Sequence, residues 1–157
     1  MTSPATRRRL ALVAALATAL TLQDTLRSET ALSYRFSFPE PQHHWMAVEA
    51  VFTELPPGPL ELRMSRSSPG RYALHEFAKN VYDVQATGPD GRPLSLSRPD
   101  PYGWTVPSHP STVTVRYKVF GDRVDGTYLA VDTTHAHLNM PAALMWARGL
   151  EIGRAHV

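Results

Sequence analysis

The chain has 157 residues, which suggests one domain and a leader. It carries no cysteine, so it has no disulfides, no thiolate metal site and no cysteine nucleophile. Its formal charge of +2 is misleading: residues 31–151 hold 11 Lys and Arg against 12 Asp and Glu, a net charge of −1 without a basic stripe, which argues against nucleic-acid binding.

In chain order, Arg7-Arg8-Arg9 precedes a 13-residue apolar run over 10–22. A positive segment followed by so short an apolar run predicts a signal peptide rather than a stable membrane span. Ala17-Thr18-Ala19 has the small-x-small pattern of a cleavage site, and 28–31 is a weaker alternative. Residues 1–30 are therefore expected to be a signal peptide and short spacer. The protein is expected to be exported, periplasmic or secreted.

The body reads as strands. Leu32, Tyr34, Phe36 and Phe38 alternate with polar residues, as do Met46, Val48, Ala50 and Phe52, then Leu60, Leu62 and Met64. Val113, Val115, Tyr117 and Val119 form the clearest period of two, and Tyr128-Leu129-Ala130-Val131 a further short run. Turn chemistry at Pro56-Pro57-Gly58-Pro59, Pro89-Asp90-Gly91, Pro99-Asp100-Pro101 and Asp125-Gly126 separates these runs. Fourteen prolines disfavour long helices. The expectation is an all-β, antiparallel sandwich-like domain over 31–151. A short helix is expected from Pro141 to Trp146, and a turn or two between Tyr72 and Asn80.

Four groups of side chains suggest chemistry. His75-Glu76-Phe77-Ala78-Lys79 approaches the two-histidine zinc helix, but Lys79 stands where a second imidazole is required and an ammonium cannot ligate. The simpler reading is a surface segment with Glu76 in an ion pair. His135 and His137, two apart on a strand, would share a face near Asp132 and offer two positions to a metal; hydrogen-bonded structural histidines are the plainer reading. His43 and His44 would point to opposite faces, so at most one is buried. Trp45, Trp104 and Trp146 with Tyr102 could form a stacking platform for sugars, against the plainer reading of core and rim packing. No Gly-rich phosphate loop or nucleophile elbow is present. No catalytic, cofactor-binding or metal-ligating residue is assigned.

The ordered series Tyr34-Arg35-Phe36-Ser37-Phe38, His43-His44, Ser68-Pro69-Gly70-Arg71-Tyr72, Glu76-Phe77-Ala78-Lys79-Asn80-Val81, Asp90-Gly91, the Trp104 strand and 135–151 resembles the N-terminal domain of the glycyl aminopeptidase family, peptidase family M sixty-one. Ser67 or Ser68 stands where that family's turn usually carries tryptophan. Proline in this turn pre-sets φ and Gly70 permits positive φ, so the chain can reverse before Tyr72. The resemblance implies a zinc metallopeptidase parent, an aminopeptidase that removes glycine- or alanine-type residues from peptides. Its zinc and its motif glutamate would lie in a downstream catalytic domain, the partner that this domain scaffolds and whose cleft it walls on one side. The piece itself would be inactive. A secreted β-sandwich module binding glycans or proteins is the alternative, and a small metal-binding protein using His135 and His137 a third. Residues 151–157 can be encoded by GAG ATC GGA AGA GCA CAC GTC, which from its second base resembles a sequencing-library adapter; 152–157 are expected to be a non-native tail.

Overall fold

The computed structural model describes residues 31–150. The expected leader, its cleavage sites and the expected tail lie outside these residues. The described chain forms ten strands: β1 (Ala31–Glu40), β2 (Trp45–Thr53), β3 (Leu60–Met64), β4 (Val81–Thr87), β5 (Ser97–Asp100), β6 (Gly103–Val106), β7 (Val113–Phe120), β8 (Ala130–Val131), β9 (Ala136–His137) and β10 (Met145–Ala147). One α-helical turn, α1 (Met140–Ala143), and 3-10 turns at Pro41–His43 and Phe77–Asn80 complete it.

The alternation read from the sequence determines the layers. One antiparallel sheet has the order β1-β2-β7-β4, another β10-β3-β6-β5, and β8 pairs with β9. Met46, Val48, Ala50 and Phe52 of β2 are buried, as are Val113, Val115, Tyr117 and Val119 beside them on β7. They share one core with Leu60, Leu62 and Met64 of β3, Trp104 and Val106 of β6, and Met145 and Ala147 of β10. Because successive side chains point to opposite faces, one residue of slip in β2 or β7 would expose this whole set. Each fully buried large apolar side chain contributes roughly 1.5–3 kcal/mol. The fold is all-β and a two-sheet antiparallel sandwich, as the strand pattern predicts.

The turns behave as their residues require. Gly70 sits at φ +73 and the Arg71 amide donates to the Ser68 carbonyl at 3.1 Å, closing the Pro69-Gly70 turn. Gly91 and Gly126 also take positive φ. The Asp125 carboxylate accepts from the amides of Thr127 and Tyr128 at 2.8 and 3.1 Å.

The expected helix from Pro141 to Trp146 is corrected. Only Met140–Ala143 is helical, and Met145–Ala147 is the edge strand β10, in register with β3 (Met145 opposite Met64, Ala147 opposite Leu62). Pairing with β3 outweighs the local helical start because it buries Met145 and Ala147 against the core. The stretch 72–80 is loop followed by the Phe77–Asn80 3-10 turn, whose Phe77 and Ala78 are buried.

Candidate functional site

Three places gather polar or aromatic side chains: the outer faces of the two sheets, the interior beside β10, and one end of the sandwich built from loops.

On the outer face of the first sheet, the β1-β2-β7-β4 register sets Arg35, Glu49, Arg116 and Gln85 in one row. Glu49 accepts from Arg116 at 2.6 Å and lies 3.8 Å from Arg35. Lys118 pairs with Asp83 at 3.1 Å. Asp83 takes a left-handed φ of +52 inside a register shift of β4, which turns its carboxylate toward Lys118. These groups line a depression of about 390 Å³. Each carboxylate there already faces a cation, so neither is free to act as a base, and the pairs are exposed enough to contribute little to stability. The outer face of the second sheet holds a similar network. Arg63 bonds Asp100 and lies 3.8 Å from Glu61, which Arg148 also reaches at 3.4 Å. The Arg63 hydrogen bond, helped by the Tyr102 amide, holds the Asp100 carboxyl below the usual range.

Inside, two phenols converge on the chain before and at β10. Tyr117 donates to the Ala143 carbonyl at 2.9 Å and accepts from the Met145 amide at 3.1 Å. Tyr34 donates to the Met145 carbonyl. Burial pushes the Tyr34 hydroxyl up to about 12 and raises Tyr117 as well. Both phenols bind the second sheet's edge strand to the first sheet.

At the loop end, the segment 66–76 meets 122–128 and 138–140. The Arg71 guanidinium donates to the Asp125 carbonyl at 3.2 Å, and the Asn139 amide donates to Ser68 Oγ at 3.1 Å and to the Thr127 carbonyl. Below these loops His75 stacks on Phe77 with centroids 5.0 Å apart, and Tyr128 meets both rings edge-on.

The residues singled out from the sequence fall as follows. His75 and Glu76 precede the 3-10 turn, so no helix aligns position 75 with position 79. His75 is half-buried rather than a surface residue, with Nε2 enclosed and unpartnered, and Glu76 makes no ion pair among the described residues. His135 and His137 are both exposed; His135 Nδ1 lies 3.2 Å from Asp132. Asp132 is held down to about 2, first by the Thr134 hydroxyl and then by the amides of Thr134 and His135. His43 is exposed, whereas His44 is half-buried at φ +62. Its Nδ1 lies 2.6 Å from the Val131 carbonyl, which can only accept, so that nitrogen carries the proton.

The aromatic platform is not assembled. Trp104 is 4% exposed in the core, Trp45 packs edge-on against Tyr82 and Phe120 outside the first sheet, and Trp146 is on the outer side of the second. Tyr102 lies under the Arg66 guanidinium at 3.9 Å. The charged rows and the phenol clamp were not singled out in the sequence. Outward Arg35, Glu49, Arg116 and Lys118 were visible as the polar half of each alternation, but their partners follow from register, which a single strand does not reveal.

No described group brings together three His, Cys, Asp or Glu side chains that could hold a metal ion. These residues therefore do not fit a zinc centre, and no chemical step is assigned to one here. Among the described residues no helix is long and apolar enough to cross a membrane.

Two antiparallel sheets on one core, closed at one edge by β10, define an all-β sandwich domain. The chain matches the Peptidase M61 N-terminal domain over residues 33–157 and belongs to that family. Among solved structures, an aminopeptidase N family protein from Idiomarina loihiensis is similar with a TM-score of 0.71 at 19% identity, a likeness of fold. The alignment covers 75% of this chain and 20% of that one, so the chain corresponds to about a fifth of that protein's length. No match was found among curated proteins.

Proposed function

We propose that this chain is the non-catalytic N-terminal domain of an exported, zinc-dependent aminopeptidase that removes glycine- or alanine-type residues from peptides. The observation that carries the reading is the family match over 33–157. The similar solved structure supports it, because there the same fold is one part of a much longer chain. In this reading zinc and the general base belong to the downstream catalytic domain, and this domain is the scaffold beside them. Export rests on the apolar run behind Arg7-Arg8-Arg9.

The glycan-module alternative loses its main support, since Trp45, Trp104 and Trp146 lie in three different environments. Trp104 lies in the core, so Trp104→Ala would report on folding rather than on sugar binding. The metal-binding alternative has only His135, His137 and Asp132, all on a solvent-facing hairpin.

The test is to sequence the source gene past Glu151 and assay its full-length product. The reading expects a His-Glu-x-x-His helix in the same frame, and cleavage of an N-terminal glycine substrate that is lost on chelation and restored by zinc. A verified frame lacking any such motif would refute it.

A further inference from the structure

Among the described residues seven large apolar side chains are exposed; Tyr72, Leu74 and Val124 lie on the loops of one end, and Met140 opens α1 beside them. Single exposed apolar residues are ordinary; a cluster on adjoining loops marks a surface that something covers. Tyr72 is 107% exposed, Leu74 71% and Val124 83%, so these side chains stand clear of the fold.

The loops that present them are not loose. The Arg71 amide is bonded to Ser68, the His75 amide to the Arg66 carbonyl at 2.8 Å, and the Arg71 guanidinium spans to Asp125. Asn139 joins Ser68 and Thr127. His75, Phe77 and Tyr128 pack beneath as a ring cluster. An ordered backbone has already lost the chain entropy that binding would otherwise cost.

We propose that this apolar end, carried by Tyr72, Leu74, Val124 and Met140, is the face on which the peptidase portion of a longer polypeptide seats. The proposal rests on the functional reading above. That reading supplies the occupant: in the similar structure this fold is a fifth of the chain, and four fifths are available to cover it. The course of the backbone supplies the approach. The chain crosses the apolar end at Met140–Ala143 and then runs as β10 along the open edge of the second sheet, where Trp146 faces outward. A following domain that folds back along this edge meets Trp146 first and the apolar end next.

The 157 residues contain no cysteine, so Tyr72→Cys, Leu74→Cys and Val124→Cys each place a single thiol in this region. Arg92→Cys, on the Asp90-Gly91 turn at the opposite end of β4, is the control. Each variant of the full-length gene product is labelled with a maleimide, native and in urea, and read peptide by peptide by mass spectrometry. The expected result is labelling about tenfold slower in the native state at 72, 74 and 124, with Arg92→Cys within about twofold of its unfolded rate. Equal rates at all four positions in a zinc-dependent, active peptidase would overturn this proposal and leave the functional reading standing. Protection that disappears on dilution would assign the face to a second copy and also overturn it. A gene product without a peptidase portion would end both.

Discussion

Removing one oxygen atom from the core should cost this domain more than most single substitutions. Tyr117 is 2% exposed, and its hydroxyl serves two backbone groups of the segment that enters β10, the Ala143 carbonyl and the Met145 amide. Tyr117→Phe keeps the ring and its packing but leaves a buried acceptor and a buried donor without that partner. The net loss of a hydrogen bond is about 1 kcal/mol, and each buried group left unsatisfied costs roughly 1–3 kcal/mol. Partial relaxation of β10, an edge strand, reduces the sum, so the expected loss is about 2–4 kcal/mol. For a domain of this size that lowers Tm by roughly 8–16 °C. Tyr34→Phe is the internal comparison: it removes one hydroxyl bonded to the Met145 carbonyl, is half-buried, and should cost about 1 kcal/mol. Urea unfolding followed by tryptophan fluorescence measures both, with unchanged m-values required for a clean comparison. A loss below about 1 kcal/mol for Tyr117→Phe, or a larger loss for Tyr34→Phe, would refute the clamp.

Gly121→Ala should destabilise by about 2–3 kcal/mol, because the added Cβ would lie 2.6 Å from Leu129 Cβ and 3.2 Å from its carbonyl, which belong to a paired segment that cannot swing away; thermal unfolding reads it. Gly103→Ala meets the end of the Arg63 side chain at 2.5 Å and should cost less, about 1 kcal/mol, through displacement of Arg63 from Asp100. The Asp132 carboxyl, held down to about 2, stabilises the fold above the ordinary aspartate range, and that contribution is lost as pH falls from about 4 toward 2. Asp132→Asn should therefore show a flatter acid limb in stability measured from pH 6 to pH 2. The Tyr34 hydroxyl acts in the opposite sense: raised to about 12, it stabilises the fold below pH 10 and that contribution is lost as pH rises toward 12, so Tyr34→Phe should reduce alkaline unfolding in that window.

The strand content was legible because β2, β3 and β7 each bury one face and expose the other, and the sequence alternates accordingly. β4, β5 and β10 were harder to read. β4 carries a register shift between Tyr82 and Gln85, with Asp83 left-handed, and this breaks the period of two. β5 lies at the edge of its sheet with three of its four residues exposed, so hydrophobicity does not mark it. β10 has three residues, too few to show a period, and follows a proline that reads as a helix start. The Pro69-Gly70 reversal could be anticipated because its φ requirement is local. The apolar end could not, because Tyr72, Leu74, Val124 and Met140 are spread over 69 positions and look like ordinary core candidates until the loops are folded.

The same geometry explains how this domain sets the position of a neighbour. The segment 138–150 belongs to the second sheet through β10, yet its backbone is tied to the first sheet by Tyr34 and Tyr117, and the Asn139 side chain ties it to the loop end. The Arg148 amide is bonded to the Glu61 carbonyl at 2.8 Å, so the hold continues past β10. A segment anchored to both sheets and to the loops cannot tilt without breaking buried hydrogen bonds, each of which leaves an unsatisfied group. Any portion of polypeptide that follows it therefore starts from a fixed origin and direction. With the apolar end as a second contact, two separated points restrain the neighbour's orientation, and loosening the clamp by Tyr117→Phe should weaken protection at Leu74 although Tyr117 is buried in the core.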